Sequence, residues 1–178
     1  MRMKKLVENW QKFLKEGETP FGVPVSDDQK AFISVDKFQG FRPTKQREKA
    51  GYKPQGLWYG CGDSWIEWTK SEQPDWLEKS KYLYEISTTP SILVIDTPEK
   101  FKSFEEEYVD NGPNADKFSN WIDWARVAKD YDGIEICPYR DEFRMESDWY
   151  YTWDVDSGCI WSPSGIKDIK LIGSKDVE

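Results

Sequence analysis

The stretch KPQGLWYGCGDSWIEW, residues 53–68, holds three tryptophans, one tyrosine and three glycines. LWYG has the composition of a strand, and DSWIEWTKSE that of a helix whose N-terminus Asp63 or Ser64 can cap. Glycine weakens a strand unless something must approach its backbone closely, so Gly60 and Gly62 need an explanation. A bound ligand that reaches backbone amides is one explanation that the sequence offers.

Apolar periodicity around this stretch predicts a mixture of helices and strands. The clearest helix is TPEKFKSFEEEY, with Thr97 as N-cap, Pro98 in the first turn, and an aromatic face formed by Phe101, Phe104 and Tyr108. Further helices are predicted at 4–16 and 121–130, strands at 31–35, 81–87, 91–96, 134–139 and 166–173, and a strand pair around Ser157 and Gly158 within 149–161. Without a strict β-α-β alternation, this order predicts one α+β domain over 1–178, with mixed or antiparallel sheets flanked by helices.

Charge and composition argue against several functional classes. The chain of 178 residues has a formal net charge of −8, which disfavours non-specific binding of nucleic acid or of an anionic membrane. The basic run RPTKQREK, residues 42–49, is an exception, and a solvated loop is its favoured interpretation. No apolar run approaches a membrane span, and the N-terminal residues lack a signal-peptide core.

Histidine is absent, so the commonest general base and metal ligand is missing. The three cysteines, Cys61, Cys137 and Cys159, are widely spaced and lack a CxxC motif. We therefore expect neither a metal site nor a disulfide framework. Instead, each cysteine should be a small buried residue, and the protein should be located in the cytoplasm.

Two aromatic segments, each interrupted by glycine, predict a cleft that holds a planar ring. The first contains Trp58, Tyr59 and Trp65, and the second contains Trp153. The alternative is that these rings fill the core, which is the commoner role of any single tryptophan.

Three carboxylates are candidates for chemistry. Glu135 lies on a predicted strand and faces away from its two apolar neighbours. Asp154 and Asp156 share a face if WDVDS is a strand, and such a pair can stabilise a cationic transition state. Solvated aspartates at a strand end are the alternative.

Three passages resemble the ADP-ribosyltransferases of the toxin and poly-ADP-ribose-polymerase-like fold. KPQGLWYG resembles the glycine-plus-aromatic strand that lines their nicotinamide pocket, and KDYDGIEI resembles a strand entered through a tyrosine-aspartate-glycine turn. SGCIWSPSGIKDIKLI resembles their closing pair of strands, so the likeness covers residues 31–172. The resemblance implies an ADP-ribosyltransferase-like fold and NAD as the substrate.

The resemblance also implies roles for individual residues. The family's catalytic Glu falls near Ser157, so the role passes to Asp156, with Glu135 and Asp154 as the other candidates. Stabilising an oxocarbenium-like ribose is the task of that carboxylate, and no metal is needed. The implied contacts with NAD come from Arg42, Gly56, Leu57, Trp58, Tyr59, Trp65 and Trp153. Trp58 and Tyr59 would stack on nicotinamide, Gly56 would bind its amide, and Arg42 would bind the pyrophosphate.

The acceptor of ADP-ribose is open at this point: a protein side chain, a nucleic-acid base and a small molecule all fit. Two other classes of function also remain. One is a non-catalytic binding module whose aromatic cleft holds a nucleotide, a sugar or a peptide. The other is an acidic inhibitor protein whose charge mimics a polyanion and which has no small-molecule pocket.

Overall fold

One mixed sheet of seven strands organises the chain in a computed structural model that describes residues 19–113, 115 and 119–175. The strands are β1 (Lys30–Ser34), β2 (Leu57–Cys61), β3 (Tyr82–Thr88), β4 (Ile92–Val94), β5 (Gly133–Ile136), β6 (Ser157–Ile160) and β7 (Ile166–Ser174), in the order β4-β5-β6-β2-β1-β3-β7. β4 and β5 are parallel, and every other neighbouring pair is antiparallel. The expected α+β class with a mixed sheet is confirmed.

Five α-helices complete the described fold: α1 (Ser64–Glu72), α2 (Pro74–Lys79), α3 (Pro98–Tyr108), α4 (Trp124–Asp130) and α5 (Asp148–Tyr151). Two 3-10 turns lie at Asp141–Phe143 and Pro163–Gly165. In this part of the chain no helix has the length and apolar character that crossing a membrane requires. The helix expected at 4–16 lies outside the described residues.

The α3 helix forms as its sequence predicts. The Thr97 hydroxyl accepts a hydrogen bond from the Lys100 backbone N–H at 3.3 Å, and Pro98 occupies the first turn. Its aromatic face, Phe101, Phe104 and Tyr108, is buried. The cap expected on α1 is not made by a side chain: Asp63 is the N-cap residue without a capping hydrogen bond, and the Ser64 hydroxyl donates to the Asp156 carbonyl at 2.6 Å.

The helices pack on one face of the sheet. α3, α4 and α5 cover Ile134, Ile136 and Cys159, whereas α1 and α2 cover Ala31, Ile33 and Leu83 through their buried Ile66 and Leu77. The opposite face carries a third cluster that includes Phe32, Tyr59, Tyr84 and Ile160, with Phe38 and Phe41 of the segment after β1 packed on it. Directly paired residues of neighbouring strands share a face, so this division follows from the register.

The expected strand pair within 149–161 is wrong in its first half. Asp148–Tyr151 is a short helix, and the strand begins only at Ser157. Trp149 and Tyr150 are buried on α5 against Phe101, so tertiary packing decides the local structure of these aromatic residues. Asp154 has a φ of 70° in the connection, and it therefore does not share a strand face with Asp156.

Candidate functional site

The strands β1 and β2 separate along half of their length. Their ladder contains only the pairs Lys30 with Cys61 and Ala31 with Gly60. From Ala31 to Ser34, β1 continues beside β3, while β2 from Leu57 to Gly60 continues beside β6. The sheet therefore has a gap, called here the β1–β2 opening, between Phe32 and Ile33 on one side and Leu57 and Trp58 on the other.

The backbone of Trp58 faces this opening. The Cys61 N–H donates to the Asp156 carbonyl at 3.1 Å, toward β6, and the Gly62 N–H donates to the Gln29 carbonyl at 2.8 Å, toward β1. Since the direction of backbone hydrogen bonding alternates along a strand, the N–H and C=O of Trp58 point toward β1, where no ladder partner is present among the described residues. One donor and one acceptor thus lie side by side at the opening.

Aromatic rings line part of the opening. It is a cavity of about 380 Å³, which falls within the size range of small-molecule sites, and its walls are formed by Phe32, Ile33, Lys53, Gly56, Leu57, Trp58, Trp65 and Trp76. The Trp58 and Trp65 rings are stacked with centroids 6.2 Å apart and planes 19° apart. The Trp76 ring meets Trp65 edge-on at 6.0 Å. Such a wall suits a flat ring that stacks on the tryptophans.

A cation and a carboxylate lie at the rim. The Lys53 Nζ is 5.4 Å from the centroid of the Trp58 ring and 3.9 Å from the Asp154 Oδ2. Burial lowers the pKa of Lys53, and the negative charge of Asp154 partly opposes that effect. The Asp154 Oδ1 also accepts from the Arg144 guanidinium at 3.4 Å, and Asp154 lines a further cavity of about 340 Å³ with Trp68, Glu72, Gln73 and Arg144.

Four of the seven residues predicted to contact NAD line the opening: Gly56, Leu57, Trp58 and Trp65. The other three lie elsewhere. Tyr59 is fully buried on the opposite face of the sheet, and Trp153 is a core residue at 1% exposure, with its ring 4.9 Å from that of Trp58. Arg42 is exposed and is not part of the cavity wall.

The three candidate carboxylates are not brought together. Glu135 is buried on the face opposite Ile134 and Ile136, as the strand period predicts. There its Oε2 accepts from the Tyr59 hydroxyl at 2.7 Å and pairs with the Lys30 Nζ at 2.6 Å. Burial, followed by the charge of Glu135 and this hydrogen bond, raises the pKa of Tyr59 well above its usual value. These contacts make Glu135 a structural group.

Asp156 also has a structural role, because both its side chain and its backbone carbonyl accept hydrogen bonds. Its carboxylate accepts a hydrogen bond from the Tyr139 backbone N–H, and its carbonyl accepts from Cys61 and Ser64. Asp154 is the one of the three candidates that lies beside the rim cation Lys53. The structure thus favours Asp154 over Asp156 for a role at the opening.

Two of the three glycines in the quoted stretch, Gly60 and Gly62, have packing and turn roles. A Cβ on Gly60 would lie 2.5 Å from the Trp65 Cβ and 2.8 Å from the Trp65 N, so its absence lets α1 rest on β2. Gly62 has a φ of 60° in the turn between the strand and the helix. Neither glycine lies in the wall of the opening, and the backbone that meets the opening belongs to Trp58.

The cysteine expectation is wrong for two of the three residues. Cys61 and Cys137 form a disulfide across a sequence separation of 76, and Cys159 is buried and free. The disulfide removes the basis on which a cytoplasmic location was predicted, since such bonds are rare in the cytosol. Cys61, Glu135 and Cys137 bring potential metal ligands within 4.8 Å of one another, but the sulfurs bond to each other and Glu135 pairs with Lys30.

Four residues of the opening were not predicted from the sequence: Phe32, Ile33, Lys53 and Trp76. Lys53 belongs to the quoted stretch and precedes Pro54, but nothing in the sequence indicates that its amine lies over Trp58. Trp76 follows a proline in α2, and only the packing of α2 beside α1 brings it to Trp65. No protein-family model, curated protein or solved structure matches this chain.

Proposed function

We propose that this chain binds NAD in the β1–β2 opening and cleaves the bond between nicotinamide and ribose, transferring ADP-ribose to an acceptor. The observation that carries the proposal is the gap in the sheet, where a backbone donor and acceptor of Trp58 lie beside stacked tryptophan rings. Nicotinamide is a flat ring with a carboxamide, which supplies the matching acceptor and donor. An ADP-ribosyltransferase-like fold, which the sequence resemblance implies, is part of the same proposal.

The charges at the rim suit the remainder of the substrate. Lys53, rather than the Arg42 that the sequence resemblance implies, supplies a cation for the diphosphate. Asp154 supplies the carboxylate that stabilises positive charge as the bond breaks. The electron pair of the C1′–N bond leaves with neutral nicotinamide, and the acceptor forms the new bond to C1′.

A second candidate function is a non-catalytic binding module that uses the same opening. The specific observation in its favour is that both Asp154 oxygens already have cationic partners, Lys53 and Arg144. A carboxylate held in this way can serve to position the two cations. The acidic-inhibitor hypothesis predicts no small-molecule pocket, and the opening counts against it.

The test is incubation of the protein with NAD, followed by chromatography for free nicotinamide, with tryptophan fluorescence as a parallel measure of binding. We expect Asp154→Asn to reduce the rate of nicotinamide release by about 100-fold or more, since it removes the charge but keeps the shape. Asp168→Asn is the matched control, because Asp168 is exposed on β7 and should release nicotinamide as the wild type does. Quenching by NAD without release would favour the binding module, and release that is undiminished in Asp154→Asn would remove Asp154 from the chemistry.

A further inference from the structure

The basic segment after β1 forms a fixed loop over residues 46–55. The side chain of Gln46 is buried and closes the loop: its amide donates to the Gln55 carbonyl at 2.6 Å and its oxygen accepts from the Gln55 N–H at 2.8 Å. The tip is tied to the body by two hydrogen bonds between Gly51 and Ile122, and by the Trp124 indole N–H, which donates to the Gly51 carbonyl at 3.0 Å. Because hydrogen bonds hold both the ends and the tip of this loop, its backbone is fixed and its side chains are presented in defined positions.

This loop lines a cavity whose wall carries positive side chains and no negative ones. The cavity is about 740 Å³, and its wall consists of Gln46, Arg47, Lys49, Ala50, Gly51, Tyr52, Lys53, Pro54, Gln55, Trp121, Trp124 and Thr152. Among these described residues, Arg47, Lys49 and Lys53 are cationic and none is acidic. In a chain with a formal net charge of −8, such a wall is a local exception that favours an anionic ligand.

An aromatic surface adjoins the cations. Tyr52 is 43% exposed, and its ring meets Trp121 edge-on at 5.2 Å. The Lys49 Nζ is 5.8 Å from the centroid of the Trp121 ring. Exposed tyrosine beside lysine and arginine is the combination that takes a planar base and its phosphate together.

Lys53 lines both this loop cavity and the β1–β2 opening. We propose that the loop cavity binds a mononucleotide, and that this nucleotide is the acceptor of ADP-ribose. The inference rests on the proposed function for the transfer step alone. Because Lys53 lines both cavities, its ammonium can contact the NAD diphosphate and the phosphate of the bound nucleotide together. A phosphate oxygen then forms the bond to C1′ while the C1′–N electron pair leaves with nicotinamide. The oxygen is already an anion, so no proton has to be removed from it.

The net charge selects a mononucleotide rather than a nucleic-acid strand. A long polyanion that occupies the cavity also meets the negative surface around it, whereas a single nucleotide meets only the cavity wall. A single-stranded oligonucleotide should therefore bind no more tightly than AMP.

The binding test is calorimetric titration of the full chain with AMP in the absence of NAD. We expect one site per chain, an affinity at least about tenfold weaker in Arg47→Ala/Lys49→Ala, since two charged contacts are lost, and a weaker affinity in Tyr52→Ala. Lys45→Ala is the matched control from the same segment: Lys45 is exposed, pairs with Glu48 and does not line the cavity, so AMP affinity should stay within about twofold. Thermal melts establish that each variant is folded.

Three results would overturn the inference. Absence of AMP binding, or equal binding by the wild type and folded Arg47→Ala/Lys49→Ala, would remove the nucleotide site. A further titration includes a non-cleavable carba analogue of NAD. If the apparent affinity for AMP falls in proportion to the concentration of this analogue, the two compete, the cavity holds part of NAD, and AMP is not the acceptor. Because AMP binding is measured without NAD, its outcome is independent of whether nicotinamide is released.

Discussion

Glu135 shows what the sequence can and cannot predict at the scale of a residue. The period of two along β5 predicts that its side chain faces away from Ile134 and Ile136, and this is confirmed. Its burial was not predictable, because it depends on β6 and β2 bringing Tyr59 over it and on β1 supplying Lys30. A carboxylate that looks available for catalysis in the sequence is therefore a structural group in the fold.

The hydrogen bond between Tyr59 and Glu135 should stabilise the protein measurably. Tyr59→Phe removes the donor and leaves a buried carboxylate oxygen with Lys30 alone, so we expect the free energy of unfolding to fall by about 1–3 kcal/mol. Urea unfolding measures the change. Tyr151→Phe, at a residue that is 50% exposed, should change it by less than about 0.5 kcal/mol. Equal stability of the two variants would show that the buried bond contributes nothing.

At the scale of elements, most strands and helices follow from apolar spacing, as α3 does, but the segment before β6 does not. WYYTW has strand composition, yet its first three residues belong to α5, where Phe101 packs against Trp149 and Phe143 packs against Tyr150. The separation of β1 from β2 could not be predicted from the sequence either. After two shared residue pairs, β1 continues along β3 and β2 continues along β6, and the sequence does not show these pairings. The aromatic wall was therefore predictable in part, and the opening itself was not.

The contact between α1 and β2 depends on the missing side chain of Gly60. We expect Gly60→Ala to lower the free energy of unfolding by about 1–3 kcal/mol, because the new Cβ would collide with the backbone and Cβ of Trp65. The comparison variant is Gly51→Ala, whose Cβ would have no heavy atom within 4 Å and should be tolerated within about 0.5 kcal/mol. Chemical denaturation of both variants checks this, and a tolerated Gly60→Ala would mean that α1 can move freely over the sheet.

At the scale of the whole molecule, the order of helices and strands along the chain was predictable, but the disulfide that links two distant parts of the chain was not. Cys61 and Cys137 are separated by 76 residues, and only the sheet order places the end of β2 beside the residue after β5. Three cysteines that are far apart in the sequence do not indicate which two of them form a disulfide. The same holds for the rim of the opening, where Lys53 and Asp154 meet across about half of the chain.

Reduction of the disulfide should lower the stability of the whole domain. The bond closes a long loop, so we expect a loss of about 2–5 kcal/mol in the free energy of unfolding when a dithiol reductant is added to the wild type. Cys61→Ala/Cys137→Ala should show no further response to the reductant. Cys159→Ala should respond as the wild type does, because Cys159 is free. A wild type that unfolds at the same urea concentration with and without reductant would contradict the stabilising role.

Amide hydrogen exchange at Trp58, measured with and without NAD, tests most directly whether the β1–β2 opening is the NAD site. If NAD binds in the β1–β2 opening, it slows exchange of the Trp58 N–H, which faces the opening. Exchange of the Tyr59 N–H should stay unchanged, because that group faces β6 within the ladder. Asp154→Asn makes the measurement possible without turnover of the substrate. Unchanged exchange at Trp58 in the presence of saturating NAD would contradict the claim that the β1–β2 opening is the NAD site.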